Sequence, residues 1–240
     1  MKFVFEWLLA PIDPSRGHAL SDAVAWHGRL MVLAWCVLLP AGVMMARFWK
    51  LAPGQKWPEE ADNKLWWRAH LMLQYSGGLA VAGAMTLVGL GGALPRGVHT
   101  RLGWCVAGLL AAQFISGWLR GTKGGPAAAA TGGSPRGDHY DMTSRRRLFE
   151  RTHKAAGYIA LATAIAAVAS GLWLANAPRW MWLAVGVWWI ALSGVAFVWQ
   201  RQGRAIDTYQ AIWGPDLSHP GNSRKPIGWG VRRRNGGQPQ

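Results

Sequence analysis

The stretch from Trp26 to Arg47, WHGRLMVLAWCVLLPAGVMMAR, decides the fold class. From Leu30 to Ala46 it carries no Asp, Glu, Lys or Arg. With its first turn included it is long enough to cross a bilayer core of about 30 Å, which takes roughly 20 helical residues. Four more uncharged stretches follow: Ala69 to Leu94, Leu102 to Leu119, Ala155 to Pro178 and Trp180 to Gln200. The expected fold is therefore all-α, an integral membrane bundle of five transmembrane helices, four forming a core and the fifth added to it. Trp26, Trp49, Trp66, Trp67, Trp118, Trp180 and Trp199 cluster at the expected helix ends. That is where an indole is favoured at the headgroup level.

Composition supports the same class. The 240 residues suggest one domain or two small ones. Lys and Arg number 26 against 11 Asp and Glu, a formal net charge of +15 that by itself would point to nucleic acid or anionic lipid. Yet 51% of residues are hydrophobic, only 15% are charged and 17 are Trp, which excludes a soluble basic nucleic-acid binder. The mean hydropathy is an average over segregated apolar and polar stretches. Cys36 and Cys105 both lie in apolar stretches, so a disulfide scaffold is not expected, and the chain has no C-x-x-C-H motif for covalent haem attachment.

Three regions follow: residues 1–22 as an N-terminal interfacial segment, 23–200 as the membrane domain and 201–240 as a basic tail. The first ten residues, with Phe3, Phe5, Trp7, Leu8 and Leu9, are too short to span and lack a small-residue cleavage site, so they read as an interfacial anchor. With five spans, Lys2, Arg16, Arg29, Arg96, Arg101 and Arg179 fall on the N-terminal side and the other twenty basic residues on the opposite one. The positive-inside rule then puts the N-terminus outside and the tail in the cytoplasm, as expected for a bacterial inner membrane with a periplasmic N-terminus. The loop from Gly121 to Ser144, rich in Gly, Ala and Pro, reads as mobile. The tail, ending in Arg232, Arg233 and Arg234, is expected to lie on anionic lipid rather than pack against the protein.

Of seven histidines, His18, His139 and His219 fall in loops, whereas His27, His70, His99 and His153 each sit near the first turn of helices 1 to 4. Consecutive helices run antiparallel, so His27 and His99 share one face of the membrane and His70 and His153 the other. The surrounding sequences repeat: His27-Gly28-Arg29-Leu30 resembles His99-Thr100-Arg101-Leu102, and the pattern R-x-H-x4-Y runs from Arg68 to Tyr75 and from Arg151 to Tyr158. Two imidazoles meeting one iron make a bis-histidine haem with no open coordination position, which suits electron transfer. Room for a porphyrin calls for small residues on the ligand's face, and Gly103 and Gly157 each follow a histidine by four, about 40° around the helix. Arg29, Arg68, Arg101 and Arg151, two places from a histidine, can reach propionates by snorkelling or lipid phosphates instead. Zinc is the alternative metal, but it wants carboxylates or thiolates beside the imidazoles. None of the uncharged stretches supplies a carboxylate, and the two cysteines read as packing residues.

The segments WHGRLMVLAW with Pro40, Gly42, Ala46 and Arg47, then NKLWWRAH, VHTRLGW and RTHKAAGY, resemble the cytochrome b561 family, especially the branch attached to an extracellular DOMON domain. The resemblance covers Trp26 to Gln200. It implies two b-type haems, the outer held by His27 with His99 and the inner by His70 with His153, and electrons crossing the membrane between them. No DOMON-like segment precedes Trp26, so that domain is expected to be a separate protein or absent. Members that oxidise ascorbate bind the anion with basic residues near the inner haem, and Lys64, Arg68, Arg151 and Lys154 stand in comparable places. The same four also fit as ordinary positive-inside residues.

The expected function is a di-haem b-type cytochrome, an electron-transfer oxidoreductase of the ascorbate, quinol or ferric reductase type. Its donor and acceptor, each a small molecule or a redox protein, act on opposite faces. Membrane lipid is the other partner, and no nucleic acid is required. A second reading is a cytochrome b anchor passing electrons between a separate dehydrogenase subunit and the quinone pool. A third is a haem-free scaffold with interfacial histidines.

Overall fold

The computed structural model describes residues 1–17, 19–90, 97–126 and 135–234. His18, Arg96, the end of the second expected span (91–94) and the middle of the 121–144 loop (127–134) lie outside the described residues. Among the described residues there is no strand, only isolated bridges, and the chain is helical: α1 Lys2–Leu9, α2 Asp22–Phe48, α3 Leu65–Leu90, α4 Val98–Trp118, α5 Ser144–Leu174, α6 Arg179–Arg201 and α7 Thr208–Trp213. A 3-10 turn follows at Pro220–Ser223.

Helices α2, α3, α5 and α6 are long and apolar enough to cross a membrane. Helix α4, the third expected span, has 21 residues, or about 31 Å at 1.5 Å per residue. Its length suffices, but His99, Thr100, Arg101, Gln113 and Ser116 dilute its apolar character, and it does not stand with the other four. The architecture is consistent with a membrane helical bundle. None of the most apolar stretch of α6 is buried by protein, as suits a helix whose surface is left to lipid.

Helix α2 starts where Ser21 accepts a hydrogen bond from the Val24 amide at 3.4 Å, with Asp22 in the first turn favoured by the helix dipole. Its middle, Leu33–Leu38, winds as a π-helix. Pro40 is the cause: it has no N–H for the carbonyl four residues back, which belongs to Cys36. The Trp188 indole supplies the missing donor, 2.6 Å from the Cys36 oxygen.

The chain forms two compact units. The first comprises Met1–Gly42, Met72–Leu110 and Ile159–Ala196. Its buried apolar residues include Ala34, Trp35, Leu39, Val81, Ala84, Val106, Leu110, Ala164 and Val168. Close approach here needs glycine: a Cβ on Gly77 would sit 2.7 Å from the Leu39 side chain. The second unit comprises Val43–Leu71, Ala111–Tyr158 and Phe197–Gln240, with Met142, Tyr209 and Ile227 at its core and Trp213 packed against them.

Two expectations for the polar segments are corrected. The tail does not merely lie on lipid: residues 205–211 are buried, and α7 packs within the second unit. Basic side chains do this by donating to tail carbonyls. Lys50 reaches the Ile206 oxygen at 3.0 Å, Lys154 the Ile227 oxygen at 2.8 Å and Arg47 the Trp229 oxygen at 2.7 Å. The described ends of the 121–144 loop are likewise packed rather than loose, since the His139 amide donates to the Thr122 oxygen and His139 is only 3% exposed. At the other end of the chain, α1 leaves Phe3, Phe5 and Leu9 more than half exposed, the surface an interfacial anchor needs.

Candidate functional site

His27 and His99 lie in the first unit, one from α2 and one from α4, with ring centroids 6.1 Å apart and planes nearly perpendicular. Each ring has its Nδ1 committed to a backbone carbonyl, His27 to the Ala84 oxygen at 3.0 Å and His99 to the Ala167 oxygen at 3.1 Å. A carbonyl only accepts, so Nδ1 carries the proton in both rings and Nε2 keeps its lone pair. The His99 ring abuts Gly171, where a Cβ would come within 2.9 Å of the ring's Cε1. Beside it an open depression is lined by Gly97, Val98, His99, Thr100, Ser170, Trp173 and Leu174. A Cβ at Gly103 would meet nothing within 4 Å, and the same holds at Gly28 beside His27.

His70 and His153 lie in the second unit, on α3 and α5. His153 Nδ1 is 2.9 Å from Ser116 Oγ, whose own hydroxyl donates to the Gln113 oxygen at 3.0 Å. With its proton spent, Ser116 can only accept, so His153 also carries its proton on Nδ1. The His153 ring lies 5.0 Å from the Phe149 ring, tilted by 37°, and the His70 ring lies 6.1 Å from that of Trp67. Gly157 is open except for the Gln113 amide, 3.7 Å from where a Cβ would stand.

The separation of His27 and His99 fits two imidazoles on one haem iron. A metal–nitrogen bond of about 2 Å on either side, with roughly 1 Å more from each nitrogen to its ring centre, puts two axial imidazoles about 6 Å apart, the separation of His27 and His99. An Nδ1–H engaged by an acceptor is the outer-shell arrangement that orients a ligating histidine. Among the described residues no group of three or more His, Cys, Asp or Glu could hold a metal ion.

The basic candidates divide. Lys64 is paired with Asp62, which Lys123 also engages. Lys154 is held by Glu150 at 2.8 Å. Arg68 and Arg151 are exposed, as are Arg29 and Arg101, with Arg29 stacked 4.9 Å from the Trp26 ring.

A buried polar cluster in the second unit was not expected. Helix α5 begins eleven residues before the expected span and brings Glu150 into it, only 3% exposed, with Arg146 at 3.1 Å and Lys154 at 2.8 Å. The spacing R-x3-E-x3-K was legible as an i, i+4 ladder. His139 Nε2 stands 3.9 Å from Glu150, too far for a hydrogen bond, and burial with the nearby Arg146 charge pushes its pKa down to about 3, leaving the ring neutral. Lys50, 5% exposed, is pushed down to about 7 by burial and by the neighbouring Lys154 charge. Sequence reasoning also missed Ser116, Ser170 and Gly171. The recurring Ser-Gly dipeptide, at 76–77, 116–117, 170–171 and 193–194, was the available signal.

The chain is similar to a cytochrome b561 protein. That relative, a cytochrome b561, DM13 and DOMON domain-containing protein of Arabidopsis thaliana, is 29% identical over 165 residues, which cover 66% of this chain and 16% of the plant protein. The similarity supports a cytochrome b561-like relationship, and the chain spans only a small part of the relative's length. No family model and no solved structure matches.

Proposed function

We propose that this chain is a di-haem b-type cytochrome that carries electrons across a membrane between a donor and an acceptor on opposite faces. The observation that carries the reading is the shared chemistry of His27, His99 and His153: each commits Nδ1–H to a neighbour and leaves Nε2 free to ligate. A b-type haem, when bound, supplies reversible one-electron exchange at its iron. His27 with His99, and His70 with His153, are the proposed axial pairs. Gly103 and Gly157 leave space on the ligand faces for a macrocycle, and Arg29 and Arg101 are placed in sequence to neutralise propionates. With two imidazoles holding it, the iron would have no open position, so the group would exchange electrons rather than activate a bound substrate.

In this reading α4 is the third of five spans, polar atoms such as those of His99 and Ser116 being tolerated because they face protein or cofactor rather than lipid. The basic side is cytoplasmic, as charge bias favours. For an anionic donor, Arg68 and Arg151 are the proposed contacts, since the charges of Lys64 and Lys154 already face Asp62 and Glu150. Reconstitution into vesicles loaded with ascorbate, with ferricyanide outside, tests the function. Oxidant consumption that depends on both haem pairs supports it. Consumption unchanged when His99 or His153 is replaced by leucine contradicts it.

A further inference from the structure

The two described Nδ1 anchors that involve serine are built differently. Ser116 and Ser170 each donate to the carbonyl three residues back, Gln113 at 3.0 Å and Ala167 at 2.9 Å. At His99 the carbonyl itself takes the imidazole proton: Nδ1 is 3.1 Å from the Ala167 oxygen and 3.3 Å from Ser170 Oγ. At His153 the serine takes it, with Oγ at 2.9 Å. The first anchor survives loss of the hydroxyl, because a backbone acceptor remains. The second does not.

We infer that Ser116 is the positioning residue of the His153 ligand, holding its imidazole in the Nδ1–H form with Nε2 presented to the iron, and that Ser170 has no such role for His99. The inference rests on the proposed di-haem reading and goes beyond it by assigning the inner ligand's orientation to one side chain. An Nδ1–H donating to an acceptor makes Nε2 more basic and favours the oxidised metal. Without Ser116 Oγ, the His153 ring is free to turn about its side-chain torsions and its buried N–H loses its partner.

The test uses the full chain carrying haem, as wild type and as Ser116→Ala, Ser116→Thr and Ser170→Ala. It reads haem count, the low-spin electron paramagnetic resonance signals and a redox titration. Ser116→Ala is expected to weaken retention of one haem by about 10- to 100-fold, shift that haem's g-values and raise its midpoint. The other haem's signal stays unchanged and reports that the variant has folded. Ser116→Thr, which keeps the hydroxyl, restores the wild-type values, and Ser170→Ala never departs from them. Both haem signals unchanged in Ser116→Ala, or an equal shift in Ser170→Ala, overturns the assignment. A wild-type protein with fewer than two haems overturns the reading beneath it, and that is read before any variant is compared.

Discussion

The two histidine pairs occupy contrasting surroundings. In the first unit, His27 and His99 are anchored by backbone carbonyls of packed helices, and His99 rests on a glycine that admits no side chain. In the second, His153 is anchored by a serine hydroxyl, one turn along α5 from a buried carboxylate and its cations. The first is held by packing, which is insensitive to pH and difficult to alter without overpacking. The second is held by polar chemistry, which protons and single side-chain changes can reach. The same ligand chemistry is thus supported by two kinds of scaffold, and substitutions that damage one should spare the other.

The largest effect is expected at Glu150. Glu150→Gln strands the nearly buried Arg146 beside Lys154, and removing one partner of a buried ion pair typically costs about 3–5 kcal/mol. Hydrogen exchange should show the second unit loosening while the first keeps its protection. Equal loosening of both would break the contrast. On the other side, Gly171→Leu forces a side chain into the His99 ring, an overpacking cost of about 1–3 kcal/mol. Loss of the haem held by His27 and His99, with the other retained, is the expected optical result.

A pH scan sharpens the comparison further. The folded protein refuses a proton at His139 until about pH 3, whereas the ordinary imidazole takes one near 6.5. Stability is therefore present above that value and falls as pH drops through 6.5 towards 3. Thermal unfolding of the second unit should shift downward between about pH 7.5 and about pH 5, and His139→Phe should remove the part of the shift that belongs to this ring. The smallest effect is expected at Trp188→Phe, which removes the indole donor from the carbonyl that Pro40 leaves free. A loss of about 1 kcal/mol, confined to the first unit, is expected in chemical denaturation.

Much of this was legible in the sequence. Uncharged stretches located α4 and the four helices long and apolar enough to span, because hydrophobic length is a local property. Antiparallel order of helices 1 to 4 groups His27 with His99 by face, and the structure sets these two rings 6.1 Å apart. The glycine rule looked along the histidine's own helix: a Cβ at Gly103 meets nothing within 4 Å, whereas the glycine against the His99 ring is Gly171, on a different helix, which spacing along one helix could not reveal. The anchors of Nδ1 were hidden for the same reason, as Ala84 and Ala167 are backbone acceptors with no side-chain signature. The tail misled because seven Lys and Arg in its described part suggested lipid attraction. Its fold depends instead on cations elsewhere, Arg47, Lys50 and Lys154, finding its carbonyls.

The central claim is that four histidines form two axial pairs. A dithionite-reduced minus oxidised spectrum with pyridine haemochrome stoichiometry, on wild type, His70→Ala and His99→Ala, tests it most directly. About two b haems per chain are expected, with His70→Ala and His99→Ala each losing a different one. One haem or none in the wild type, or loss of the same haem in both variants, would contradict the pairing.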